Sequence, residues 1–114
     1  MHLNIADIRN YTGTDDEFIV KLFDKFLAHV RDDMANLKLQ TEAKNWNVVK
    51  SASHQMLSSA RIFSMKKIIE LHEKIEKDCI NNLTDNVPEM VNELTRLYEE
   101  AISEINSLKN TLVS

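Results

Sequence analysis

Four histidines, His2, His29, His54 and His72, are the residues of this chain best suited to nucleophilic or proton-transfer chemistry near neutral pH. His54 stands apart by its neighbours. Ser51, Ala52, Ser53, Ser58, Ser59 and Ala60 are all small, so a protruding ring among them is open to a docking macromolecule. With Val49 as the core direction and ~100° per residue along a helix, Ala52, Met56, Ala60 and Phe63 fall within ~60° of the core, and His54 falls ~140° away. Lys50, Ser58 and Arg61 share its outer face within ~40°, and Leu57 lies at the margin, ~80° from the core. Two cations within a turn or two suit an anion held at the imidazole. The pattern fits a histidine that accepts a phosphoryl group, a transfer that depends on in-line approach and charge stabilisation. It fits also an exposed histidine on a solvated helix face, and spacing alone leaves both open.

The other histidines offer less. His29 lies beside a core stripe, three and four residues before Asp32 and Asp33, which predicts a surface ion pair. His72 falls within ~40° of the core direction of its helix, as a boundary histidine with its hydrogen bonds satisfied would. His72, Glu76 and Cys79 have the spacing of metal ligands on one helix face, but no partner motif supports them. Cys79 is the only cysteine, so neither an intrachain disulfide nor a multi-cysteine zinc site can form. A chain with one Gly has no Gly-rich phosphate loop, and kinase activity has no seat in it.

The elements that must position these residues follow from composition and periodicity. The chain has 114 residues, one Gly and one Pro, which is room for a single domain over 1–114 and too few turn residues for a sandwich or barrel. Hydrophobic residues at 43% and charged residues at 28% fit a globular domain. The net charge of −4 disfavours non-specific nucleic-acid binding. No apolar run approaches the ~18 residues of a membrane span. Met1-His2-Leu3-Asn4 lacks the regions of a signal peptide, so a cytoplasmic location is expected.

Leu3, Ile5 and Ile8 predict a short first helix ending near Gly13. Thr14 or Asp15 then caps a long helix with the stripe Phe18, Leu22, Phe23, Phe26, Leu27, Val30, Met34 and Leu37, fading near Gln40-Thr41. A second long helix starts near Asn45 and carries His54. Ser64 is placed to cap a third, with the stripe Ile68, Leu71, His72, Ile75 and Cys79. After a turn over residues 81–86, Pro88 sits in the first turn of the last helix, whose stripe runs from Val87 through Val91, Leu94, Leu97, Ala101, Ile105 and Leu108 to Leu112. Short connections favour antiparallel neighbours, so the expected fold is all-α: an antiparallel four-helix bundle with a short N-terminal helix across one end.

Over about Ile5 to Leu112 the sequence resembles the histidine-containing phosphotransfer (HPt) domains of bacterial multistep phosphorelays. Tyr11-Thr12-Gly13-Thr14-Asp15-Asp16-Glu17-Phe18 resembles the family's Thr-Gly-Asp-like turn into a Phe-rich helix, and Lys44-Asn45-Trp46 stands where a Trp often opens the next. Ser53-His54-Gln55-Met56-Leu57-Ser58-Ser59-Ala60 stands where the family reads Ala/Ser-His-x-Leu-Lys-Gly-Ser/Ala. Ser64-Met65 and Ile75-Glu76 match a later Gly-Ala pair and a Leu-Glu pair. Two departures stand out: the family's Lys is Leu57 and its Gly is Ser58. Some HPt-like domains resemble this chain more closely here, with His-x-Met-Leu and an Arg seven residues after the His, the position of Arg61.

The resemblance implies that His54 carries a phosphoryl group between receiver-domain aspartates, with the Mg²⁺ supplied by the receiver and no cofactor of the chain's own. It implies Arg61 and Lys50 as electrostatic support and Glu76 as acceptor of a hydrogen bond from the other ring nitrogen. Ser58 would donate to a phosphoryl oxygen or leave space, and Leu57, Gln55 and Ser58 would meet the response-regulator receiver. The chain would be a stand-alone protein or a segment of a hybrid sensor kinase. The alternatives are a catalytically silent adaptor of the same fold, which Leu57 favours, and a bundle with metal at His72, Glu76 and Cys79.

Overall fold

The structure, a computed structural model, describes residues 2–13 and 15–113. Five helices account for it: α1 (Ile5–Thr12), α2 (Asp16–Glu42), α3 (Trp46–Ile62), α4 (Lys66–Ile80) and α5 (Val87–Val113), with one 3-10 turn, Thr84–Asn86, before α5. Helices α2 to α5 form an up-down bundle of 46 × 22 × 20 Å in which each packs on its sequence neighbours and α5 returns to α2. Helix α1 lies against α2 and α3.

Local chemistry sets the helix ends. Asn4 caps α1 through Ala6 and Asp7 N–H, and Asp15 caps α2 through Glu17 and Phe18 N–H. Thr14, the other cap expected, lies outside the described residues. Helices α2, α3 and α4 end alike, with a left-handed residue, Lys44 (φ 58°), Ser64 (φ 53°) or Asn82 (φ 58°). In each, that residue's N–H and the next one's donate to carbonyls of the last turn: after α3, Ser64 N–H to Arg61 and Met65 N–H to Ala60. Ser64 therefore terminates α3 rather than capping α4, whose flanking residue is Met65 with no side-chain cap.

The core follows the predicted stripes with shifts. On α2 the buried line is Ile19, Phe23, Phe26, Val30, Met34, Leu37 and Thr41, while Leu22 and Leu27 are half-buried. Phe18, expected in the core, is 44% exposed, because it lies in the first turn, ~100° around the helix from the buried Ile19. On α3 the buried residues are Val49, Ser53, Met56, Leu57 and Ala60, and Ala52 is half-buried. The buried arc thus extends on the positive side to Leu57, which is 1% exposed. A corner helix of a bundle faces two neighbours, and α4 closes over the side that a single core direction assigns to the margin. Phe63 sits 5.3 Å from the Phe23 ring and 5.4 Å from Phe26, edge-on to the latter, and Phe26 stacks on Tyr98 at 6.2 Å.

Candidate functional site

His54 sits at the middle of α3 with its side chain 67% exposed. Its Nδ1 lies 2.8 Å from Glu76 Oε1 on α4, a carboxylate that is 22% exposed. A carboxylate only accepts, so Nδ1–H donates and the neutral ring carries its lone pair on Nε2. The ring is thus held at one nitrogen and open at the other. The antiparallel packing of α3 on α4 brings these two residues together across 22 positions of sequence.

The other residues singled out in the sequence separate into three groups. Gln55 and Ser58 are exposed, one and four residues after His54 on α3. Arg61 is exposed two turns on, and among the described residues it forms no ion pair or hydrogen bond. Lys50 is half-buried rather than on the open face, and its charge acts on the Cys79 thiol of α4. That thiol is nonetheless pushed up, first by burial and then by Asp78. Leu57 does not face a partner at all: it is 1% exposed, on the side of α3 from which Ser53 and His54 reach α4, and the partner contact expected of it is corrected to a buried position.

The histidine-glutamate-cysteine metal set does not converge. His72 is fully buried and has both ring nitrogens engaged, Nδ1 with Ser53 Oγ at 2.6 Å and Nε2 with Tyr98 OH at 2.6 Å. Glu76 is turned to His54. No cluster of three metal-ligating side chains occurs among the described residues. Burial holds the His72 imidazole down to about 4, so it is neutral near pH 7, with one nitrogen donating and the other accepting. Burial pushes the Tyr98 phenol up, and the Asp33 carboxylate adds to that. His29, expected to pair with Asp32 or Asp33, forms no ion pair among the described residues. With Asp33 it edges a groove of about 370 Å³ between α2 and α3, floored by Phe26, Met56, Ile62 and Tyr98 and opening beside Ser58.

Sequence reasoning passed over Ser53 and Tyr98. Ser53 reads as one more small residue near the ring, and Tyr98 stands one position after Leu97 of the α5 stripe. The signal available was the buried position of His72, since a histidine in a core requires polar partners from facing helices.

The sequence model of the family described as the Hpt domain matches residues 21–105. This chain belongs to the Hpt domain family. The match spans α3 and α4 whole and most of α2 and α5, so His54, Glu76 and Arg61 all lie inside the Hpt domain. No curated protein and no solved structure matches the chain. The all-α bundle is the architecture expected of an Hpt domain, and no helix among its described residues is long and apolar enough to cross a membrane.

Proposed function

We propose that this Hpt domain is a phosphorelay intermediate, in the cytoplasm, that carries a phosphoryl group on His54 Nε2 between receiver-domain aspartates. The observation that carries the reading is the exposed imidazole whose Nδ1–H is held by Glu76, which leaves Nε2 as the free nucleophile. In the transfer, Nε2 forms a bond to phosphorus as the bond from phosphorus to the aspartyl oxygen breaks. The carboxylate of the receiver is the leaving group. No proton moves, since Nδ1 keeps its hydrogen and the ring becomes cationic. Glu76 stabilises that charge, and the step back to a second receiver is the reverse.

The phosphoryl group brings about two negative charges. Arg61 is the cation available to it, because its side chain leans toward the helix N-terminus and hence toward the ring. Ser58, exposed one turn after His54, would donate to a phosphoryl oxygen. Gln55 and Ser58 and the apolar groove between α2 and α3 supply a surface for the receiver beside the ring. The receiver brings the Mg²⁺ for the reaction.

The test is to mix the protein with phosphorylated receivers and Mg²⁺. Acid-labile, base-stable phosphate is expected on the wild type and none on His54→Gln. A receiver that binds while neither protein takes up phosphate would replace this reading with that of a silent adaptor.

A further inference from the structure

Below the exposed ring lies a hydrogen-bonded chain that the transfer step itself does not use. Ser53 Oγ, His72 Nδ1, His72 Nε2 and Tyr98 OH connect α3, α4 and α5 through two bonds of 2.6 Å, and all three side chains are buried. The Tyr98 ring stacks on Phe26 of α2, so one layer of contacts crosses all four long helices. The layer is at the height of the site. Ser53 immediately precedes His54, and His72 stands one helical turn before Glu76 on the same helix. Ser53 with His72 and His54 with Glu76 are therefore consecutive rungs between the same two antiparallel helices.

The rungs differ in what they can withstand. The outer one is exposed to water, which competes for both partners and holds their geometry weakly. The inner one is dry. Apolar packing is non-directional and tolerates small rotations and slides, whereas a short hydrogen bond fixes distance and direction. A slide of α4 along α3 that separated Glu76 from His54 would strip Ser53 and His72 of their partners in a place where water cannot replace them.

We infer that Ser53, His72 and Tyr98 are positioning residues for the phosphoacceptor: their buried chain sets the register of α4 against α3 that places the Glu76 carboxylate on His54 Nδ1. The inference rests on the phosphotransfer reading for its kinetic consequence, but its geometric content stands apart from it. Tyr98 holds the far nitrogen of His72, so the ring cannot turn away from Ser53 without losing a second buried partner.

The test uses Ser53→Ala and Tyr98→Phe, which remove one hydroxyl each and add no bulk. Nitrogen-resolved NMR of the His54 ring at alkaline pH reads the tautomer, and transfer from a phosphorylated receiver reads the rate. In the wild type, His54 is expected as the Nδ1–H form. In both variants the Nε2–H form should rise, and transfer should slow by about fivefold with the KM for the receiver within about twofold. In a Glu76→Ala background, Ser53→Ala should change the rate by less than about twofold, because the contact it positions is already gone. Helical circular dichroism confirms that each variant is folded. An unchanged His54 tautomer in folded Ser53→Ala and Tyr98→Phe, or an equal slowing with and without Glu76, overturns the inference. If wild type accepts no phosphoryl group, the phosphotransfer reading fails, while the tautomer still decides the positioning role.

Discussion

At the scale of single residues, exposure separates groups that the helical wheel puts together. Arg61 and Lys50 lie on one outer face by angle, yet Arg61 is free in solvent and Lys50 is half-buried toward Cys79. Lys50 stands one turn before the ring and leans away from it. Arg61→Ala is therefore expected to slow phosphotransfer or shorten the phosphohistidine lifetime about tenfold, a barrier change of ~1.4 kcal/mol. Lys50→Ala should change the rate little at moderate salt. Rates for the three proteins with one receiver at one salt concentration check both. Leu57 shows the same point in the opposite direction. A margin position would accept lysine, its stem snorkelling to water. At 1% exposure, Leu57→Lys is instead expected to cost more than ~2 kcal/mol, since it buries an ammonium group away from water. Leu57→Met should stay within ~1.5 kcal/mol. Denaturant melts of the two variants measure the difference.

At the scale of elements, the helix ends explain how a chain with a single glycine makes its tight turns. Three left-handed positions fall on Lys44, Ser64 and Asn82, and only Asn has a side chain that eases this conformation. Ser64 has a φ of 53°, a conformation that glycine adopts without steric cost. Ser64→Gly is expected to stabilise the bundle by about 1 kcal/mol, with Tm rising by several degrees, while Ser64→Val lowers it. Thermal melts check the sign. Phosphotransfer should be unaffected by Ser64→Gly, since position 64 follows α3 and lies away from the ring at its middle.

At the scale of the whole molecule, the buried polar layer ties stability to pH. The folded-state pKa of His72 is depressed to about 4 from an ordinary value near 6.5. Between these values the unfolded chain binds the proton and the folded chain does not. Stability from this group is thus complete above about pH 6.5 and falls as pH drops toward 4, levelling below that. The full change is about 3 kcal/mol. His72→Gln should flatten the dependence over that window by up to one proton. Urea melts of both proteins at several pH values between 4 and 7 provide the slopes.

Residue periodicity and capping chemistry determine most of the fold before any contact is known. Steps of three and four mark each helix, Asp15 and Pro88 mark starts, and the short connections force antiparallel neighbours. The exposure of His54 is likewise a property of one helix and its apolar stripe, and can be read from spacing. What the stripe alone cannot supply is the width of the buried arc on α3, because that depends on how closely α4 closes over one side. The status of Leu57 and Lys50 was decided there. The pairs of the site are decided the same way. His54 with Glu76 is 22 residues apart in sequence, and His72 with Tyr98 is 26. Hydrogen bonds across helices depend on register and rotation to within an ångström, and those are fixed by packing of the whole bundle, not by the period of any one helix.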